Sequence, residues 1–177
     1  MEKVNNLTYY YEEHIITQYD IDEFTARHNV RLPKDFINHY LNHNGGWVNA
    51  NWVDGDQEMV PFTHFLSIQY GMDTIDKAID DIVEQQLGLG DRMPFAVNNI
   101  GGYFFIATDG EDFGRVFYAE IIPSEDGMKK LLDWKDISVN FTEFMKDFKV
   151  DDSFGKYLDP DLQCEIENLD EYIRENS

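Results

Sequence analysis

The sequence predicts an α+β fold, a single domain with a mainly antiparallel or mixed sheet and flanking helices. Three observations predict it. Apolar residues recur at helical spacing in several stretches, whereas between residues 94 and 121 they gather in short runs separated by glycine-containing turns. Apolar residues make up 42% of the chain and aromatics 15%, enough for one well-filled core. The 177 residues contain no internal repeat or low-complexity linker and match the usual span of one domain, about 100–200 residues.

The elements follow in order. Residues 1–19 are polar and tyrosine-rich (Tyr9, Tyr10, Tyr11, Tyr19) and accommodate a short strand or an arm. A first helix is expected from Asp20 to about His28, with Ile21 and Phe24 on its apolar side. Leu32-Pro33 opens a second, because proline suits the first helical position, where its missing N–H is not needed. Phe36, Ile37, Tyr40 and Leu41 form its face, and Asn44-Gly45-Gly46 is expected to end it through a left-handed glycine cap. Residues 47–53 read as a strand leading into the Asp54-Gly55-Asp56 turn, and residues 60–68 as another strand. A third helix, capped by Asp73 or Thr74, carries Ile75, Ile79, Ile82, Val83 and Leu87 and is expected to stop at Gly88.

The periodicity then shortens. Residues 94–97, 103–108 and 115–121 read as three strands of an antiparallel meander, with turns at 98–102 and 109–114. A fourth helix begins near Asn140, which has capping-box spacing to Glu143, and carries Phe141, Phe144, Met145 and Phe148. Asp159 and Pro160 suit the start of a last helix with Leu162, Ile166, Leu169 and Ile173 on one stripe.

Charge narrows the function. Thirty-five Asp and Glu face 14 Lys and Arg, a formal net charge of -21. Such a surface repels nucleic-acid backbones and anionic lipid and attracts a basic protein. By itself, acidity also serves solubility. Cys164 is the single cysteine, so no intrachain disulfide forms, and its acidic neighbours Asp161, Glu165 and Glu167 disfavour a thiolate. There is no secretory leader pattern at the N-terminus and no apolar run long enough for a membrane span, which sets the expectation of a cytoplasmic protein.

The motifs that suggest chemistry are weak. His39 and His43 have a zinc-compatible spacing, yet Tyr40 stands where the metalloprotease motif has Glu, and both are expected to face solvent or pack at an edge. Asp109, Glu111, Gly114 and Glu120 fit four positions of a calcium loop, but Phe113 fills a ligand position and the flanks read as strands. The pairs Gly45-Gly46 and Gly101-Gly102 lack phosphate-loop spacing, and no nucleophile elbow is present. The expectation is a chain without catalytic residues, metal or cofactor. Two acidic turns with nearby aromatics are instead the candidate partner-binding residues: Trp52, Asp54, Asp56 and Glu58, and Asp109, Glu111, Asp112 and Phe113. Trp47 and Tyr70 also lie near acidic turns, and each such aromatic suits a core as well as an interface.

The order of features carries a resemblance. Residues 21–46, with Leu32-Pro33, Phe36, Tyr40 and Asn44-Gly45-Gly46, resemble the opening of the SUKH superfamily, which includes yeast cell-wall assembly regulators and bacterial immunity proteins. Residues 94–106, followed by Gly114-Arg115-Val116-Phe117-Tyr118, are similar to its second signature, and residues 140–145 to its Ser-Phe-x-x-Phe-Leu helix. Asn140 replaces the usual serine, and the 98–102 turn lacks the acidic residue that many members carry. The resemblance implies one SUKH-like domain over 1–177, with a family-like core at about 20–148 and a C-terminal helical extension over 149–177. It also implies a non-catalytic immunity protein, monomeric or weakly dimeric, that occludes a cognate toxin, with nucleases as common targets. A scaffold or regulatory interaction module is the alternative.

Overall fold

The structure, a computed structural model, describes residues 7–55, 58–125, 127, 129–151 and 153. These residues form four helices, α1 (Gln18–His28), α2 (Lys34–Asn42), α3 (Ile75–Glu84) and α4 (Phe141–Lys146). The strands are β1 (Tyr9–Tyr10), β2 (Gly46–Val48), β3 (Ala50–Asp54), β4 (Met59–Pro61), β5 (His64–Phe65), β6 (Arg92–Val97), β7 (Gly102–Ala107), β8 (Val116–Pro123), β9 (Lys130–Ser138) and β10 (Phe148–Val150). Seven strands make one sheet in the order β1-β2-β5-β6-β7-β8-β9, and three make a second, β10-β3-β4. Every pairing between these strands is antiparallel. The α+β class and the 94–121 meander are therefore present as expected.

Local chemistry explains where the boundaries moved. α1 starts before Asp20 because Asp20 is the third helical residue. Its carboxylate accepts from the Thr17 N–H at 2.7 Å, and the Thr17 hydroxyl accepts from the Asp20 N–H, closing a capping box. Pro33 is the N-cap of α2, one position earlier than expected. α2 ends at Asn42 with His43 extended, so Asn44-Gly45-Gly46 does not cap it. The glycines serve close approach instead. Both have positive φ, and a Cβ on Gly45 would lie 2.9 Å from the Ser67 Cβ, one on Gly46 2.7 Å from the Tyr10 carbonyl. Thr74 caps α3, accepting from the Lys77 N–H at 3.1 Å. That helix stops before Gly88. The Gln86 backbone turns left-handed, and the Leu87 N–H returns to the Ile82 carbonyl, which seats Leu87 in the interior and leaves Val83 exposed.

Two expected strands are each split between sheets. The 47–53 run breaks at buried Asn49, whose side chain accepts from the Thr8 N–H at 2.7 Å. Its carbonyl accepts from the Asp151 N–H at 2.7 Å, so one residue ties both ends of the described chain to the corner. The 60–68 run likewise passes from β4 to β5. Asn140 caps α4 as expected, accepting from the Glu143 N–H at 2.8 Å, but the Glu143 carboxylate turns to Lys146, so the reciprocal half of the box is missing. Phe148 lies in β10 rather than on α4. The longest strand, β9, was not expected: charges break up its apolar residues, and they suit an outermost strand. The expected helix after Asp159 lies outside the described residues.

The main core lies on one face of the large sheet, where α1, α2, α4 and the small sheet deliver Phe24, Phe36, Tyr40, Val53, Phe141 and Phe148. Phe95 is its hub, fully buried, with the rings of Phe36, Phe65, Phe104, Phe141 and Phe144 centred 5.5–6.5 Å away. The Tyr40 hydroxyl is satisfied by the Leu66 carbonyl at 2.8 Å and the Phe95 carbonyl at 3.1 Å. A smaller cluster of Ile82, Leu87, Phe105, Ala107, Phe117 and Ala119 lies on the opposite face. There the Arg92 guanidinium sits 4.3 Å from the Phe117 ring and 4.6 Å from Trp134.

Candidate functional site

Residues paired across neighbouring strands point to the same side of a sheet. Followed strand to strand, the pairs Tyr10–Trp47, Trp47–His64, His64–Val97, Val97–Tyr103, Tyr103–Ala119 and Ala119–Trp134 form one row across all seven strands. This row alternates with Phe65, Ala96 and Phe104 and so lies on the opposite face from them, although Val97 and Tyr103 also pack against the main cluster, which reaches Ile75 and Ala78 of α3. Five of its seven residues are Tyr, Trp or His, rings with a polar edge. Trp47 and His64 stack with centroids 5.4 Å apart. Trp47 is 37% exposed, an unusual state for a tryptophan in the middle of a sheet.

The segment 66–74 and the start of α3 rise beside this row and leave two adjoining cavities that share His64 and Asp73. The larger, about 190 Å3, is bounded by Tyr11, Glu13, Trp47, Ser67 and Met72 as well. The smaller, about 100 Å3, lies toward Tyr103, Lys77 and Asp81. Together they form a groove with an aromatic floor and acids on its walls.

The walls are built by short-range chemistry. Buried Asn44 is the staple. Its Nδ2 donates to the carbonyls of His14 (2.8 Å) and Ile68 (3.1 Å), and its Oδ1 accepts from the Ile68 N–H at 2.8 Å. Its own carbonyl accepts from the Glu13 N–H at 3.0 Å. Residues 13–14, 44–46 and 67–68 are thereby locked together. The Glu13 side chain fills the space that a Cβ on Gly71 would need, and Gly71 has φ +86, so the carboxylate is seated against a residue that only glycine suits. Asp73 is held through its carbonyl, which accepts from the Ser67 N–H at 3.0 Å.

Burial in the groove favours the neutral form of its rings. Burial holds the His64 imidazole below the ordinary histidine value, against the opposing pull of Asp73, whose Oδ2 lies 3.4 Å from Nε2. Neither His64 ring nitrogen, nor the enclosed Tyr11 hydroxyl, has a hydrogen-bond partner among the described residues. Burial raises the Tyr103 phenol, with Asp81 adding to the effect. The described residues of the groove present acceptors and ring faces.

The sequence-predicted residues lie elsewhere. Trp52, Asp54 and Glu58 sit on the β3–β4 hairpin of the small sheet, Asp54 paired with Lys149 at 2.8 Å and Glu58 with Lys135; Asp56 lies outside the described residues. Asp109, Glu111, Asp112 and Phe113 sit on the β7–β8 turn. Asp109 pairs with Arg31, and Asp112 lies 3.9 Å from Arg92 and 3.7 Å from Arg115. The Arg31 guanidinium covers the Phe113 ring at 4.9 Å. The Gly110 N–H and Arg31 hold the Asp109 carboxyl below its usual range. Among the described residues no hydrogen bond or ion pair joins the two groups to each other or to the groove. The groove's one legible signal was Trp47 beside the Asn-Gly-Gly sequence, since strand pairing alone brings it to His64.

The metal-like motifs are also placed. His39 does not face solvent. Its ring packs among Phe65 (4.8 Å), Phe141 (5.1 Å) and Tyr40, its Nε2 is enclosed without a partner among the described residues, and burial, with His43 nearby, pushes its pKa down to about 3. His43 stacks on Tyr9 at 3.7 Å and meets Glu12 at 3.0 Å. Glu120 accepts from the Tyr118 hydroxyl at 2.9 Å within β8 while Asp109 pairs with Arg31, so the calcium-like spacing is divided between two tasks. Among the described residues no three His, Cys, Asp or Glu side chains converge to hold a metal ion.

Comparison with known proteins places this geometry. No curated relative and no solved structure matches the chain. The family model of the SMI1 / KNR4 family (SUKH-1) matches residues 15–147, which include Asn44, the hub of the core and the groove residues other than Tyr11 and Glu13. The chain belongs to the SMI1 / KNR4 family (SUKH-1).

Proposed function

We propose that the protein is an immunity protein that binds a cognate bacterial polymorphic toxin, a nuclease, and neutralises it by direct occlusion. The observation that carries this reading is the net charge of -21 on a member of a family whose domains are generally non-catalytic and often confer toxin immunity. A nuclease holds phosphates in a basic groove. A compact polyanion is drawn to that groove quickly, and speed matters when uncaptured toxin kills the cell.

The acidic turns serve as the rim of the interface: Trp52, Asp54, Asp56 and Glu58 on one side, Asp109, Glu111, Asp112 and Phe113 on the other. Several of these acids already pair with cations of the same chain, such as Lys149 and Arg31. Exposed ion pairs contribute little and exchange readily, so a basic partner replaces them at small cost. The protein acts in the cytoplasm as a monomer or weak dimer, without cofactor, nucleic acid or membrane. No helix among the described residues is long and apolar enough to cross a bilayer. The second reading, a scaffold or regulatory module, is favoured by the outer-face groove, because an aromatic floor suits many peptides.

Co-expression with the toxin domain encoded beside this gene tests the first reading. Survival supports immunity, and death of cells that accumulate folded protein overturns it. Charge steering predicts that the association rate falls at least about tenfold between roughly 50 and 500 mM salt. A rate indifferent to salt rejects that mechanism.

A further inference from the structure

The small sheet has one face in the core and one turned outward. Val53, Val60 and Phe148 point inward and are buried. Trp52 pairs with Pro61 and Asp54 with Met59, so these four residues share the outward face. Trp52 is 45% exposed and Met59 47%, two large apolar side chains on adjacent strands. Lys149 of β10 reaches Asp54 on the same face at 2.8 Å. The chain leaves the sheet from β10. The Asp151 N–H donates to the Asn49 carbonyl, and the Asp151 carboxylate accepts from the Ser153 N–H at 2.8 Å and the Ser153 hydroxyl at 2.6 Å, a local turn that ends the strand. Residues 154–177 follow. The helix that the sequence predicts after Asp159 carries Leu162, Ile166, Leu169 and Ile173 on one stripe, with acids on either side. A helix of that length is marginal in water until its stripe is buried.

We propose that residues 160–174 form a helix that docks on the outward face of the small sheet, its stripe on Trp52, Met59 and Pro61. Length, direction and charge select this occupant. The stripe from Leu162 to Ile173 spans about 16 Å at a rise of about 1.5 Å per residue, and the five residues of β3 span about 17 Å. Residues 154–158, with Gly155 among them, supply a connection of the usual strand-to-helix length, about 2–6 residues, so the helix runs back antiparallel to β10. That direction carries its last turn to the β3–β4 hairpin. Arg174 is the only Lys or Arg after Lys156, and it arrives beside Asp54 and Glu58. Both carboxylates stay half exposed although each already meets a lysine, and with Asp56 the hairpin holds three acids against those two cations. The docking itself needs no toxin. Its consequence rests on the reading of Trp52 as an interface residue: the segment competes with the toxin for that face, Arg174 taking the place of a partner cation.

The test uses the full chain with a nitroxide attached to Cys164, the single cysteine, which helical spacing turns away from the stripe. The label then stands about one helix diameter, roughly 10 Å, above the sheet. NMR signals of the Trp52 indole N–H, assigned by comparison with Trp52→Phe, and of the amides of β3 and β4 are expected to lose most of their intensity. The amides around Ile82, in the cluster on the opposite face of the large sheet, should keep theirs. Leu169→Asp, which places a charge on the stripe, should abolish the broadening and speed hydrogen exchange of amides 162–173 at least about tenfold, with the core spectrum unchanged. Undiminished Trp52 and β3 signals overturn the proposal, as does broadening that survives Leu169→Asp or that falls on Trp47 in place of Trp52. Broadening of isotope-labelled chains by separate nitroxide-bearing chains assigns the stripe to a second copy and overturns it as well. Because these readouts involve no toxin, a failure of toxin rescue and a failure of this docking are read separately.

Discussion

The two faces of the seven-stranded sheet use the same class of residue for opposite ends. The inner face is a phenylalanine core: Phe65, Phe95 and Phe104 meet Phe36, Phe141, Phe144 and Phe148, each almost fully buried. The outer face carries Tyr10, Trp47, His64, Tyr103 and Trp134 in one cross-strand row, rings with a polar edge, half covered by the 66–74 segment and α3. A phenylalanine has no polar atom to satisfy and is suited to complete burial. A tyrosine or tryptophan keeps a polar edge for water or a partner, which is why such residues gather at interfaces. The division is one of proportion, since Phe105 and Phe117 are buried on the outer face and Tyr40 and Tyr118 on the inner; exposure of the ring, as at Trp47, rather than its type alone marks what is open to solvent.

That contrast can be broken by experiment. The largest effect is expected from Phe95→Ala, which removes the hub of the inner face and should cost about 3–5 kcal/mol in denaturant unfolding. Asn44→Ala should follow, at about 2–4 kcal/mol, because it leaves the buried Ile68 N–H without its acceptor and unpins the 13–14 segment. It should also disturb the groove more than the core, visible as hydrogen exchange opening first in residues 11–14 and 67–73. His39 supplies a pH signature of intermediate size. Its folded pKa of about 3 lies below the ordinary 6.5, so the unfolded chain binds the proton first. The stabilisation is complete above about pH 6.5 and declines as pH falls toward 3. At pH 5 the loss from this group is about 2 kcal/mol, at roughly 1.4 kcal/mol for each unit between the two values. His39→Phe should remove that slope, and an unchanged pH profile would show that the ring is not enclosed. Smallest is Trp47→Ala, expected to cost about 1 kcal/mol or less in stability while raising the dissociation rate of the partner severalfold. If Trp47→Ala unfolds the protein as Phe95→Ala does, the outer row is structural and the contrast between the faces falls.

Much of the fold was legible from the chain because it rests on local signals. The 94–121 meander shows as short apolar runs between glycine turns, and Asn140 shows as a cap. What escaped depends on long-range pairing. Asn44-Gly45-Gly46 reads as a helix stop, yet its side-chain amide and its two bare Cα positions are used against Ser67, Tyr10 and Ile68. Asn49 and residues 62–63 break two apparent strands because the chain changes sheets there, and periodicity carries no mark of that change. β9 was missed because Lys130, Asp133, Lys135 and Asp136 interrupt its apolar residues. The groove was illegible for the same reason. Trp47, His64 and Tyr103 are scattered over more than fifty residues and become neighbours only through strand register.

The meander from β6 to β9 joins each strand to the next along the chain, so 47 consecutive residues, 92–138, complete four strands without waiting for any other part. Closing short loops loses less chain entropy than closing long ones. This half of the sheet is thus suited to assemble early, as a template. The β1–β2–β5 half, whose β1 reaches across 37 residues from Tyr10 to Trp47, would dock onto it later. A protein arranged in this way has its rigid framework before its outer-face groove, and damage to the groove need not delay folding.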